Sequence, residues 1–503
     1  MIARMMRDSG ALYLLLAIYF AVNVALRLAL PSSLELDEGQ QLFLAQWLAV
    51  GYDTQPPFYN WLQYGVVQVL GDTVLALSLL KSLMLFCCYG LVGAAAHLVI
   101  RNKALAIIAV LGLLTVPQIV FESQRDLTHS VAVLFAACLF IYALFGALKS
   151  PNIFSYLLTG IAIGVGMISK YNFALLPAAA MIAILFEREF RGRLINWRMI
   201  LTIIAAAAIV TPHALWFLDN VDVATGRTLG KLTENAGADR TTQIIAGLFS
   251  LGVGLVAFCA LTVLAYWISF GRRFHESWAA SSPWTRLVGR MFLILIAALI
   301  LLVIFGGASN IKDRWLTPFF FMLPLYLSLK LDALNQTIGN APKRFGWIAV
   351  VIMIAVPLVL FGRVPAAQYL GHYGKLNVPY RPAIEAILAS GKDRPSIIAT
   401  SDMQMAGNIR LNVSSIPVMV PGYEGFHKNY PFDATHPVLL IWRGKGEPDA
   451  AMPEALKRWQ VSQVEAGATV PVPQDIAEPY HYGKPGDVYH FSYAWIYPKV
   501  GTP

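Results

Sequence analysis

Apolar residues fall in eleven long runs, at roughly 11–31, 74–100, 104–120, 131–148, 153–169, 171–187, 199–218, 246–270, 288–306, 315–330 and 345–363. A helix needs about 20 mostly apolar residues to cross the hydrocarbon layer of a bilayer. The pattern therefore predicts eleven membrane-spanning helices. The first run is too long for the apolar stretch of a typical signal peptide and many spans follow it, so it reads as an uncleaved anchor. The runs 153–169 and 171–187 are short and meet at Ser169-Lys170-Tyr171-Asn172. Losing or gaining one span there would reverse the side on which the chain ends.

From about residue 364 the pattern changes. Pro, Gly and charged residues recur every few positions, and no run is long enough to span. Short β-type runs (Ser396 to Thr400, Pro417 to Val420, Pro437 to Trp442) alternate with helix-like stretches (Arg381 to Ser390, Pro453 to Trp459). The segment 364–503 is expected to be a small soluble α/β domain.

Charge supplies the orientation. Alternate connections hold Arg4, Arg7, Arg101, Lys103, Lys149, Arg188, Arg191, Arg193, Arg198, Arg272, Arg273, Arg286, Arg290, Lys330, Lys343 and Arg344, against five acids. Excess Lys and Arg mark cytoplasmic loops. The N-terminus is therefore expected inside and, after eleven spans, the segment 364–503 outside, in the periplasm of a bacterial inner membrane. The opposite side carries 32–73, 121–130, 219–245 and 307–314.

Composition agrees with this reading. Hydrophobic residues make up 57% of the 503 residues and charged ones 13%, where soluble proteins carry about 25% charged. A disordered chain, a disulfide scaffold and an ordinary cytosolic enzyme are excluded. The net charge of +9 is an orientation signal: the 364–503 segment is neutral, and the excess sits in the inner connections. It gives no support for a nucleic-acid partner. The four cysteines lie in apolar runs without ligand spacing and read as inert thiols.

Ionisable residues near membrane depth are costly and therefore informative. Directly after the first run comes Leu34-Glu35-Leu36-Asp37-Glu38-Gly39-Gln40-Gln41-Leu42, and then Gly51-Tyr52-Asp53-Thr54-Gln55-Pro56-Pro57-Phe58-Tyr59-Asn60-Trp61-Leu62. Both halves of 32–73 have the pattern of short amphipathic helices at the interface, with Pro56-Pro57 turning between them. The adjacent carboxylates Asp37 and Glu38 suit either chemistry or the capping of a helix N-terminus. Arg125-Asp126-Leu127-Thr128-His129, Ser169-Lys170, and Lys312-Asp313-Arg314-Trp315-Leu316-Thr317-Pro318 occupy other outer connections. Lys312 and Arg314 suit either phosphate binding or interfacial anchoring. Arg125 and Asp126 suit a local ion pair, and His129 a satisfied core histidine. Lys81 falls about eight residues into the second run.

The first span, then Asp-Glu, then about twenty residues later Gln-Pro-Pro-Phe-Tyr, resembles the membrane glycosyltransferases of the GT-C type. The branch it resembles contains protein O-mannosyltransferases, the aminoarabinose transferase of lipid A, and rhizobial lipopolysaccharide galacturonosyltransferases. The stretch LDEGQQL…GYDTQPPFYNWL is similar to the last group. The Lys312-Asp313-Arg314-Trp315 turn resembles that family's Lys-x-Arg-aromatic-x-x-Pro motif. The resemblance covers about 1–330 in order and spacing, with Gln55 where many members carry His.

This resemblance implies an all-α polytopic membrane domain of GT-C type over 1–363, with interfacial helices in 32–73. It implies inverting transfer of a single sugar from a polyprenyl phosphate to a hydroxyl of an envelope acceptor, lipopolysaccharide core or lipid A. Asp37 is then the base that takes the acceptor's proton, and Glu38 orients the acceptor or holds the base, with the two roles open to exchange. Lys312, Arg314, Lys170, Arg125 and Lys81 would stabilise the phosphate leaving group. Gln55, Tyr59, Asp126 and His129 would line the substrate site. No cofactor is required; a divalent metal on Asp37, Glu38, Asp126 and His129 is left open. The expected partners are the polyprenyl-phosphate-linked sugar, a glycolipid or glycan acceptor and membrane lipids, with the chain a monomer. Competing readings are a lipid or polysaccharide transporter or flippase, and a protein O-glycosyltransferase. Transporters often show internal repeats, and none is seen here. The polar loop 219–245 is expected to act as a lid.

Overall fold

The computed structural model describes residues 6, 8–232, 239–423, 425–426, 429–444, 446–465 and 467–498. The chain forms two compact units. Unit 1 holds 1–23, 49–59 and 81–357; unit 2 holds 24–48, 60–80 and 358–503. The chain thus passes from one unit to the other inside the helices Ser9–Ala29, Phe58–Leu70, Val74–Val99 and Ala341–Gly362.

Seven helices among the described residues are long and apolar enough to cross a membrane: Ser9–Ala29, Val74–Val99, His129–Lys149, Met199–Asp219, Arg240–Phe270, Pro283–Gly306 and Ala341–Gly362. An eighth span results if the bent pair Lys103–Thr115 and Gln118–Arg125 is counted as one. The chain is a multi-pass membrane protein. Every one of the eleven apolar runs contains helix, but four do not form one long rod. In the run 104–120 the helix Lys103–Leu111 tightens into a 3₁₀ turn, Val116 is extended, and the chain re-enters a π-helical turn at Gln118–Glu122 with a 67° bend. Pro117 explains the break. It has no N–H to continue the ladder, and it disfavours helical backbone at the residue before it. In 315–330, Pro318 and Pro324 each start a separate short helix, Thr317–Phe320 and Leu323–Ala333. Helix Ile153–Met167 has 15 residues, about 22 Å at 1.5 Å per residue, and is shorter than a bilayer core. Tyr171–Leu185 is likewise short.

Within unit 1, His129–Lys149 is the central helix, with 78% of its apolar stretch buried, against 11% for Met199–Asp219. The latter leaves Ile200, Ile203, Ile204, Leu215 and Leu218 uncovered. Rows of bare aliphatic side chains of this kind suit a lipid environment. Residues that the charge pattern assigns to the inner side meet one another. The Glu187 carboxylate accepts two bonds of 2.9 Å from Arg286 and one of 3.1 Å from Arg290. Asp332 accepts the Asn102 N–H at 3.0 Å and pairs with Arg101. Lys330 donates to the carbonyls of Trp278 and Ala280. Four connections far apart in sequence thus gather at one end of the helices.

In unit 2 the two helices expected in 32–73 are Leu36–Leu44 and Phe58–Leu70. The later segment is built on a five-stranded sheet: β1 (Ile397–Thr400), β2 (Val418–Met419), β3 (Val438–Trp442), β4 (Gln474–Pro479) and β5 (Val488–Ile496), in the order β2-β1-β3-β5-β4. The first three strands are parallel, and β5 is antiparallel to both β3 and β4. Strands β1 and β3 are buried on both faces, which is why they read as unbroken apolar runs. Ile397, Ala399, Val438, Leu440, Trp442, Ala494 and Ile496 share one core with Leu456 of the helix Glu454–Glu465. Of the proposed lid, Val221–Leu232 is helical and 233–238 lies outside the described residues.

Candidate active site

The acidic pair belongs to unit 2. Helix Leu36–Leu44 begins after the extended residue Glu35, so Asp37 and Glu38 stand in its first turn. The two carboxylates have different surroundings. Glu38 is buried; it accepts the Glu35 N–H at 3.1 Å and is gripped by Arg27 at 2.9 Å. Arg27 also donates to the carbonyls of Pro31 (3.0 Å) and Ser33 (2.8 Å). Glu38 is therefore committed to capping the helix and to a buried ion pair. Asp37 is half-buried on the same turn. Glu35 in turn pairs with Arg363 at 2.5 Å. Spacing alone did not reveal Arg27 or Arg363 as partners, because a cation's partner depends on how the chain turns after the span.

The remaining candidates belong to unit 1, and the fold brings most of them together. Tyr59 is buried with its ring 6.1 Å from that of His129. The Lys170 Nζ donates to Ser130, the next residue on that helix, at 3.2 Å. Asn172 Nδ2 donates to the Trp315 carbonyl at 3.3 Å, which ties the Lys170 turn to the Lys312–Arg314 turn. Asp313 fixes the latter: its carboxylate accepts the Gln118 amide at 2.7 Å and the Arg314 N–H at 2.8 Å. Gln118 sits in the π-helical turn that Pro117 initiates, and such turns are frequent at functional sites.

One reading needs correction. Arg125 pairs with Glu122 at 2.8 Å, in place of the local pair with Asp126. Glu122 is one turn earlier on the same short helical stretch, so the ion pair is a helical i,i+3 contact. His213 links Val50 to Tyr171: Nδ1 lies 2.8 Å from the Val50 carbonyl, and Nε2 lies 3.1 Å from the Tyr171 hydroxyl. That chain fixes the residue beside Lys170. Gln55, Asp126, Lys312 and Arg314 are half-buried, and Lys81 is buried in helix Val74–Val99. Among the described residues no group of three or more His, Cys, Asp or Glu side chains is placed to hold a metal ion. The four cysteines are free thiols, Cys88 and Cys138 fully buried.

A phosphate leaving group needs fixed cations, and an attacking hydroxyl needs a carboxylate base. The chain carries side chains of both kinds, and its fold is that of the GT-C membrane glycosyltransferases. It is similar to ArnT from Cupriavidus metallidurans, solved bound to undecaprenyl phosphate, with a TM-score of 0.63 at 12% identity over 97% of each chain. The family model for dolichyl-phosphate-mannose-protein mannosyltransferases matches residues 54–216. Lipopolysaccharide core galacturonosyltransferase RgtB of Rhizobium johnstonii is 46% identical over 97% of this chain and 98% of its own length. RgtA of the same organism, of the same description, is 39% identical over 99% and 100%. The chain belongs to this family of lipopolysaccharide galacturonosyltransferases, and it is a glycosyltransferase.

Proposed function

We propose that the protein transfers one galacturonosyl residue from a polyprenyl phosphate to a hydroxyl of the lipopolysaccharide core, at the periplasmic face of the inner membrane. The observation that carries this reading is the 46% identity, over nearly the whole of both chains, to a lipopolysaccharide core galacturonosyltransferase. The acceptor oxygen attacks the anomeric carbon from the side opposite the phosphate, so the configuration inverts. The new C–O bond forms as the bond from the anomeric carbon to the phosphate oxygen breaks. Asp37 takes the acceptor's proton, and polyprenyl phosphate leaves as the anion. Lys170, Lys312 and Arg314 bind that anion, where charge-assisted contacts count most. Arg125, already paired with Glu122, contributes less. Lys81 is assigned to the same anion. Gln55, Tyr59, Asp126 and His129 line the sugar or the acceptor.

The topology that goes with this function has eleven crossings, the N-terminus inside and 364–503 outside. The test is sugar transfer by purified protein in lipid with a synthetic polyprenyl-phosphate galacturonate donor. Asp37→Asn is expected to fold, bind donor and lose transfer by at least a thousandfold. Transfer by that variant within tenfold of the natural protein contradicts the assignment of the base.

A further inference from the structure

We infer that the α/β segment after residue 364 positions the Asp37 helix, and that Gln404, Gly407 and Asn408 are the positioning residues. The inference rests on the reading of Asp37 as the base. It concerns unit 2 alone.

The backbone leading into the Leu36–Leu44 helix is held by side chains that lie more than 300 residues away in sequence. Leu34 is fully buried. Its N–H is accepted by Asn408 Oδ1 at 2.9 Å, and its carbonyl accepts Gln404 Nε2 at 2.7 Å. Both peptide groups of one residue are thus bracketed by two amides one turn apart on the helix Met403–Asn412. The neighbouring Ser33 hydroxyl donates to the Val378 carbonyl at 2.6 Å. At the far end of the helix, Gln46 works in both directions. Its Nε2 donates to the Val418 carbonyl and its Oε1 accepts the Val418 N–H, each at 3.0 Å. Gln46 thereby mimics a neighbouring strand at the edge of the sheet.

The bracket is itself oriented. Gln404 Oε1 accepts from Arg443 at 2.5 Å and from the Tyr380 hydroxyl at 3.1 Å. With the oxygen occupied, the amide nitrogen is turned to Leu34. Asn408 Nδ2 donates to the Gln404 carbonyl at 2.9 Å, which turns Asn408 Oδ1 the other way. Neither amide can flip without losing two bonds. All of these groups are buried or nearly so, and a buried amide left unpaired is costly. A loosely attached domain would not present such an oriented pair.

The helices touch through glycine. A methyl group placed on Gly407 would lie 2.0 Å from the Gly39 carbonyl oxygen, and one on Gly39 would lie 2.6 Å from the Gln404 carbonyl oxygen. A side chain at Gly407 must push the Asp37 helix away by about an ångström, and one at Gly39 by about half as much. Asp37 is two residues before Gly39 on the same turn. Misplacing a reacting group by about 1 Å costs on the order of a hundredfold in rate. A contact this close, beside the catalytic turn, sets where the carboxylate stands.

The experiment measures kcat and the KM for donor of the full-length protein in lipid, for Gly407→Ala, Gln404→Glu and Asn408→Asp. Gln404→Glu keeps the acceptor for Arg443 and Tyr380 but removes the donor to Leu34. Asn408→Asp keeps the acceptor for the Leu34 N–H. Gly407→Ala and Gln404→Glu are expected to lower kcat at least tenfold with donor KM within twofold. Asn408→Asp is expected to retain far more activity than Asn408→Leu. Introduced into Asp37→Asn, Gly407→Ala should cost nothing further, because it acts through that carboxylate. Unchanged kcat in both Gly407→Ala and Gln404→Glu overturns the inference, and so does a full loss that persists in the Asp37→Asn background. A failure of the base assignment itself is read separately, as activity of Asp37→Asn alone.

Discussion

Arg27→Ala would leave the Glu38 carboxylate buried without its guanidinium. That carboxylate is 2% exposed and its partner 13% exposed, so water does little to compensate. Breaking a buried pair by deleting one member costs about 3–5 kcal/mol. Arg27 also carries the carbonyls of Pro31 and Ser33, at about 1 kcal/mol each for a lost bond. The partial exposure of Arg27 favours the lower end for the pair and lets water replace part of the two carbonyl bonds, so about 4 kcal/mol is a fair working figure for the opening of 31–44. Local opening is read by hydrogen exchange of the amides of Leu36–Leu44. At 1.4 kcal/mol per factor of ten, those amides should exchange on the order of several hundredfold faster, while those of His129–Lys149 stay unchanged. Arg27→Lys should recover part of the protection, since an ammonium lacks the guanidinium's fork. Arg27→Met with Glu38→Gln should be milder than Arg27→Ala, because no charge is left buried. Exchange of Leu36–Leu44 within threefold of the natural protein in Arg27→Ala would refute the claim that this pair anchors the helix.

Three further outcomes are expected. Lys170→Met and Arg314→Ala should each raise the donor KM or lower kcat/KM by roughly ten- to a hundredfold, the value of one charge-assisted contact, as measured by initial rates; Arg125→Ala should do less. Asp313→Ala should reproduce part of the Arg314→Ala defect with both cations still present, because it releases Gln118 and the Arg314 N–H together. Glu187 is held below its ordinary value of 4.5 by its bonds to Arg286. Its stabilising contribution is therefore present above that value and is lost as pH falls through the lower folded value. Glu187→Gln should cost roughly 1–2 kcal/mol at neutral pH, discounted for the partial exposure of both arginines, and the deficit against the natural protein should vanish in acid melts.

The membrane helices were legible because burial in lipid and burial in protein both select apolar runs. Their interruptions were not, since Pro117, Pro318 and Pro324 break helices inside stretches that remain apolar. Strands β1 and β3 announced themselves as apolar runs. The polar edge strand Gln474-Asp-Ile-Ala-Glu-Pro carries no such signal, and Val488–Ile496 is interrupted by His490 and Ser492. Among site residues, Asp37, Glu38, Lys170 and the Lys312–Arg314 turn stood out as charges next to apolar runs. Their supports did not: Gln404, Asn408 and Gln118 are neutral amides whose meaning comes only from what the fold places beside them. The ambiguity over Asp37 and Glu38 had a physical root, for one of the two does cap the helix.

The central claim is uronosyl transfer to the lipopolysaccharide core by way of Asp37, and the most direct measurement is the mass spectrum of the core oligosaccharide. In a strain lacking this chain, the core should lose one galacturonosyl increment. Expression of the natural protein should restore it, and Asp37→Asn at equal membrane abundance should not. An unchanged core on deletion, or full restoration by Asp37→Asn, would contradict the account.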